Sequence, residues 1–254
     1  MLLAIDVGNT QTHLGAFRGT ALAEHWRFRT VSGATGDEIA ERVAGLLNLS
    51  GVDPGEVDAL SVSSVVPPLG SQYEAMAGRY FDAPCLSIAP GVKTGMPILI
   101  DNPYEVGADR LVNAVAAYDR FGDACLIVDF GTGINCDAVS ADGEYLGGAI
   151  APGVEISLTA LTERGARIGR IELDQPEDAI GKSTRAAIQS GVIFGYAGMI
   201  DGLTRRMVGE LGGEPAVIAT GGLANTIVPY CETIDEVDDL LTLTGLRLIW
   251  ELNQ

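Results

Sequence analysis

One short pattern occurs twice, and its spacing constrains the fold more than any other feature of the chain. Residues 2–12 read LLAIDVGNTQT, and residues 125–133 read CLIVDFGTG. In each, an apolar run ends on a carboxylate, Asp6 or Asp129, followed by a hydrophobic residue, a glycine and small polar residues. The two carboxylates stand 123 positions apart in a chain of 254 residues. A repeat at about half the length predicts a duplicated domain. Alone, the first stretch also fits an ordinary hairpin, because Gly and Asn tolerate positive φ, with Asp6 facing water. As a pair, the hairpins are expected to face each other across a cleft. Their backbone N–H groups and hydroxyls would point at an anion, and their carboxylates could hold a cation. Such a pair can grip nucleotide phosphates without a Walker loop.

The pattern of elements supports the duplication. Residues 2–7, 11–17 and 22–29 read as strands, and 35–49 as a helix, with Thr35 and Glu38 in a capping-box pattern and Ile39, Val43, Leu46 and Leu47 on one face. A strand at 58–66 ends at Pro67 and Pro68, and a helix (69–81) and a strand (84–89) follow. The second half opens in the same way, with strands at 125–130, 134–140 and 144–150. Helices are then predicted over 153–166, over 182–211 with breaks at its glycines, and over 244–253, with a strand at 215–222. The alternation indicates an α/β fold with mixed sheets. The expected domains are 1–121 and 122–254, divided near FGDA at 121–124.

Between the halves lies DNPYEVGADRLVNAVAAY (101–118). Asn102 as N-cap, Pro103 at N1 and Glu105 at N3 predict a helix starting at once, with Leu111, Val115 and Tyr118 on its apolar face. Asp109 then falls about two turns in, where Asp is a poor helix former. It is either a solvated residue paired with an arginine or a carboxylate fixed on a rigid helix, and spacing favours the former.

The net charge of −18 disfavours nucleic-acid binding. Any anionic substrate must be met by a few placed cations and backbone N–H groups. MLLAID is too short for a signal segment, and no run approaches the ~18–20 apolar residues of a membrane span. The four scattered cysteines contain no CxxC pair, and with two histidines a zinc cluster is not expected. These features predict a cytoplasmic protein with reduced thiols and no membrane partner. His13 and His25 sit in strand-like stretches and read as surface or packing residues.

Several motifs fail on inspection. IGKST (180–184) resembles the end of a P-loop, but the pattern requires a glycine at 176, which is Pro176. GTGINC (131–136) has Cys136 where a dinucleotide fingerprint has its third glycine, and a strand rather than a helix is predicted after it. DFG at 129–131 comes without an HRD sequence, and the chain contains no GxSxG elbow.

DVGNT, NPYEVGADR, DFGT, GGAIAPG, GKST and ATGGLA, in this order across nearly the whole chain, resemble the type III pantothenate kinases. The resemblance implies two duplicated RNase-H-like domains of the actin-like and sugar-kinase superfamily. It implies ATP-dependent phosphorylation of pantothenate, the first step toward coenzyme A, by a homodimer that needs Mg²⁺ and a monovalent cation (K⁺ or NH₄⁺). It places Asp6, Val7, Gly8, Asn9, Thr10, Gln11, Thr12 and His13 in the first phosphate loop, with Asp6 near Mg²⁺. It makes Asp129 the monovalent-cation ligand and Thr132 an ATP contact. Gly107, Ala108, Asp109 and Arg110 match the pantothenate-binding GADR, with Asp109 as general base, and Thr184 a substrate contact. The roles suit the chemistry, because phosphoryl transfer is catalysed mostly by positioning and charge neutralisation. Arg110 can meet a substrate carboxylate with two parallel hydrogen bonds.

The chain departs from the family's usual pattern at two places. Gly133-Ile134-Asn135 stands where Ala-Thr-Thr is usual, which removes two hydroxyls near the nucleotide. Ile100 stands in place of a Tyr on the substrate side. Two other readings stay open: a related small-molecule kinase with a different hydroxylated substrate, and a non-catalytic nucleotide-binding homologue. The intact Asp6, Asp109, Arg110 and Asp129 favour an active enzyme.

Overall fold

A computed structural model of the chain describes residues 1–164 and 171–254. They form two compact units: Met1–Met96 with Asp101–Ala116 and Leu240–Gln254, and Pro97–Ile100 with Ala117–Asp239. The expected ranges 1–121 and 122–254 differ from this division chiefly at the C-terminus. The last helix belongs with the first unit, because its apolar face is buried there.

In the first unit, strands β1 (Leu2–Val7), β2 (Gln11–Arg18), β3 (Ala21–Arg29), β4 (Ala59–Ser64) and β5 (Cys85–Ser87) form one sheet in the order β3-β2-β1-β4-β5. β1 runs antiparallel to β2 and parallel to β4. Period-two alternation sends Leu3, Ile5, Val7 and Leu14 into a core with α1 (Gly36–Leu49) and α2 (Pro67–Met76). The Thr35–Glu38 capping box forms as predicted: Thr35 Oγ1 accepts from Glu38 N at 3.3 Å, and Glu38 Oε2 accepts from Thr35 N at 2.8 Å. Pro67, expected only to stop a strand, opens α2, since a missing N–H costs nothing in a first helical turn.

The opposite face of this sheet carries α7 (Leu241–Leu252). Ser61 Oγ donates to Leu246 O at 3.0 Å. Gly245 has no room for a Cβ against the Val112 carbonyl, so α7 presses onto α3 (Ala108–Phe121). Thr242 Oγ1 donates to Asn113 Oδ1 there at 2.7 Å.

The second unit repeats the topology. β6 (Cys125–Phe130), β7 (Gly133–Val139), β8 (Tyr145–Pro152), β9 (Ala216–Thr220) and β10 (Glu236–Val237) pair in the order β10-β9-β6-β7-β8. Each strand thus takes the place of its counterpart in the first sheet. Residues 97–100 extend the β8 edge through Leu99 N to Tyr145 O and Tyr145 N to Pro97 O, both 2.8 Å. Leu126, Val128 and Phe130 pack with Ile193, Ala197 and Ile200 of α5 (Thr184–Leu211). The breaks expected at the glycines of α5 do not occur, and the helix runs unbroken for 28 residues. Burial of its apolar face offsets the weak helix propensity of those glycines. α4 spans Val154–Arg164; residues 165 and 166 of the helix expected there lie outside the described residues. The two-residue β10 is too short to leave a periodic signal.

Candidate active site

Asp6 is half-buried one residue before the end of β1, with His13 across the antiparallel ladder and Ser63 across the parallel one. His13 pairs in turn with Arg27 on β3. Paired residues share a face, so Arg27, His13, Asp6 and Ser63 form one polar row over the carboxyl end of the central strands. Ligands of open α/β sheets bind at such an edge. His13 Nε2 lies 3.2 Å from His25 Nδ1, so the two histidines expected as surface or packing residues are hydrogen-bond partners. Burial, with help from Arg27 and His25, holds the His13 imidazole down at about 3. It is therefore neutral at physiological pH and adds no positive charge beside Asp6.

The β1–β2 turn closes through Gly8 N to Gln11 O at 3.1 Å, and a Cβ on Gly8 would meet that same oxygen at 2.9 Å. Asn9, Thr10 and Gln11 are exposed at the tip. Val7 faces the core and offers only its backbone. Thr12 was expected among the phosphate-loop residues, but strand parity turns it to the core side. It is 1 % exposed, with its Oγ1 2.9 Å from Thr30 Oγ1, and it hydrogen-bonds Tyr73.

Asp129 takes the matching place on β6, across from Asn135 on β7 and Thr220 on β9. Gly221, at φ +95°, lies against Asp129 Oδ1 and the Phe130 backbone, and leaves no room for a Cβ. Thr132 is exposed in the turn, its carbonyl accepting from Gly153 N at 3.1 Å.

The GADR segment corrects a predicted helix start. Asn102 caps only a 3₁₀ turn, Pro103–Glu105, and its Nδ2 donates to Glu105 Oε1 at 2.8 Å, so no capping box forms. Val106 is extended, and α3 begins at Ala108, with Leu111 N donating to Gly107 O at 3.1 Å. Asp109 therefore sits in the first turn of α3, not two turns in. There the helix dipole favours a carboxylate. Its Oδ1 accepts from Arg110 N at 2.8 Å. Burial pushes its carboxyl above the usual range, opposed by that N–H and by the Arg110 charge. Arg110 is half-buried, and Gly107 and Ala108 flank the turn. Thr184 is exposed at the first position of α5, after the N-cap Ser183.

A model of the type III pantothenate kinase family matches residues 2–206. The chain belongs to the type III pantothenate kinase family. Its relatives named type III pantothenate kinase include one from an Anaeromyxobacter species, 53 % identical with both chains fully covered. Another, from Myxococcus xanthus, is 52 % identical over all of this chain and 99 % of that one. A third, from Streptomyces avermitilis, is 49 % identical over 100 % and 98 %. Among solved structures, a putative Baf family transcriptional activator from Campylobacter jejuni superposes at TM-score 0.59 with 18 % identity, over 99 % and 98 % of the two chains. A polyphosphate/ATP-glucomannokinase from Arthrobacter does so at 0.53 with 16 % identity, over 100 % and 99 %. A ROK hexokinase from Thermus thermophilus does so at 0.51 with 15 % identity, over 99 % and 98 %. These likenesses are of fold, and they place this pantothenate kinase family chain among the actin-like and sugar-kinase architectures.

Among the described residues, no three or more His, Cys, Asp and Glu side chains cluster as a metal cage. Asp6, a half-buried carboxylate near the end of β1, has the oxygen-donor chemistry that Mg²⁺ takes alongside phosphates and water. Asp129, an oxygen donor hemmed by glycine backbone at 131 and 221, suits a cation that binds oxygen alone. No described helix is long and apolar enough to cross a membrane. Sequence reading missed Ser63 and Gly221. Ser63 carried no local signal, whereas Gly221 was visible inside ATGGLA.

Proposed function

We propose that the chain transfers the γ-phosphoryl group of ATP to the primary hydroxyl of pantothenate, the first step toward coenzyme A. The observation that carries this reading is Asp109: a half-buried carboxylate in the first turn of α3, raised by burial and kept from shifting further by Arg110. A base of this kind can accept a hydroxyl proton at neutral pH. Family membership supplies the substrate class.

In this reading the turn after Asp6 presents backbone N–H groups to the phosphates. Thr10 and Thr132 add hydroxyls, and Asp6 holds Mg²⁺, which neutralises phosphate charge when bound. Asp129 holds K⁺ or NH₄⁺. Arg110 meets the pantothenate carboxylate, and Gly107, Ala108 and Thr184 complete its contacts. The neutral His13 orients Asp6 rather than moving a proton. The active species is a homodimer in the cytoplasm, and the two five-stranded sheets, one opening near 1 and the other near 122, belong to the duplicated halves.

ADP release with and without pantothenate tests the reading, in K⁺, NH₄⁺ or a bulky organic cation at constant ionic strength. Pantothenate-dependent release that rises with K⁺ or NH₄⁺ is expected. Release that is indifferent to pantothenate overturns the substrate, and equal rates in all three salts overturn the Asp129 site. Sedimentation showing a fully active monomer overturns the dimer.

A further inference from the structure

Ser63 is fully buried, and its Oγ has no hydrogen-bond partner. A buried hydroxyl left unpaired costs free energy, and such groups in native proteins call for a reason. Its location supplies one. Ser63 is the parallel-ladder partner of Asp6, and Leu60 and Val62 fill the opposite face of β4. Ser63 and Asp6 therefore project to the same side from strands about 4.8 Å apart. One ladder step back on that face, Ser61 is already committed to Leu246 O of α7. Ser63 lies beyond that contact, toward the end of the strand where Asp6 stands.

The second unit repeats the arrangement with a different residue. Thr220, 2 % exposed, is the parallel-ladder partner of Asp129. In both sheets the strand-end carboxylate thus has a buried hydroxyl as its neighbour on the parallel side. On the antiparallel side the partners are chemically unlike, His13 and Asn135.

We propose that Ser63 is a positioning residue for Asp6. When one oxygen of the Asp6 carboxylate is engaged by a cation–nucleotide complex, the Ser63 hydroxyl donates to the other. Carboxylates that ligate cations are commonly held by such a second hydrogen bond, which fixes their orientation and tunes their basicity. A change of Ser63 rotamer would aim the hydroxyl at Asp6, and no proton or phosphoryl group passes through the bond. The inference rests on the kinase reading above, in that it assigns the hairpin to a cation–nucleotide complex.

The test measures Mn²⁺ affinity by electron paramagnetic resonance in the presence of a non-hydrolysable ATP analogue, for the full chain and its variants. Ser63→Ala is expected to weaken Mn²⁺ binding about ten- to hundred-fold. The Tm of the ligand-free protein should stay level or rise, because the substitution deletes an unpaired hydroxyl. Ser63→Thr, which restores the hydroxyl, should recover most of the affinity. In an Asp6→Asn background, Ser63→Ala should add no further loss. Unchanged Mn²⁺ affinity in Ser63→Ala overturns the proposal, as does a further loss in the Asp6→Asn background. So does a lowered ligand-free Tm accompanied by full Mn²⁺ affinity, which is the signature of packing alone. A wild-type chain that binds Mn²⁺ with the analogue but leaves pantothenate untouched ends the substrate assignment, while the Ser63 comparison still decides this inference. A wild-type chain that binds no Mn²⁺ with the analogue overturns both.

Discussion

A Cβ on Gly107 would lie 2.5 Å from Oδ1 of Asp109. The glycine that precedes α3 thus sets where the carboxylate of its first turn can stand. The crowding atom is the end of a side chain, so Gly107→Ala is expected to leave the fold intact and turn the carboxylate aside. A displacement of about 1 Å at a reacting group can cost ~10²-fold in rate. Steady-state kinetics should show kcat down by that order with KM for ATP little changed. Wild-type kcat would remove the link between Gly107 and the base.

Asp109→Asn separates activity from stability. Burial raises the folded-state carboxyl above its ordinary value, so the ionised form is disfavoured in the fold. The penalty is absent at low pH and grows as pH rises through the folded-state value. At neutral pH the neutral amide should therefore raise Tm. Loss of a general base should lower kcat on the order of 10²–10⁴-fold. In the wild type, kcat should fall on acidification through a midpoint above that of an ordinary aspartate. A variant with wild-type turnover, or with a lower Tm at neutral pH, contradicts this account.

His13 predicts an acid limb of stability. Its imidazole is held at about 3, against 6.5 when free. The unfolded chain therefore takes up the proton first as pH falls. The stabilisation is complete above about 6.5 and is lost progressively toward 3, at no more than ~1.4 kcal/mol per pH unit. Denaturant unfolding of His13→Asn across that window should show a shallower slope than the wild type. Parallel slopes would mean that His13 titrates normally.

Ile100 packs beside Gly147, whose added Cβ would come within 3.2 Å of Ile100 Cγ2. Gly147, at φ +103°, carries no Cβ to crowd Ile100, which already lies close against it. Ile100→Tyr should fold normally and lower KM for pantothenate by at most about tenfold, the worth of one neutral hydrogen bond. Tyr104 is 78 % exposed and set on the 3₁₀ turn, so it supplies no buried aromatic surface in compensation. A steep rise in KM with the fold intact would point to a pocket shaped for another substrate.

Features that depend on neighbouring residues were legible in the sequence. Periodicity placed β1 and β6 at the residues where they occur, and a capping box placed the start of α1. The repeat of Asp6 at Asp129 announced two sheets of one topology. The start of α3 was less legible because two local signals compete: Asn102-Pro103 caps a turn, and the Gly107 carbonyl, five residues on, opens the helix. Only the three-dimensional pairing could settle the rest. Thr12 and His13 are adjacent in sequence, yet register puts one in the core and the other beside Asp6. Ser63 meets Asp6 through a parallel ladder whose strands are joined by a long crossover, and Gly221 meets Asp129 in the same non-local way. The return of α7 to the first unit follows from where its apolar face finds cover. Local chemistry writes the elements, but long-range packing selects which side chains share a face, and the candidate site is made of such shared faces.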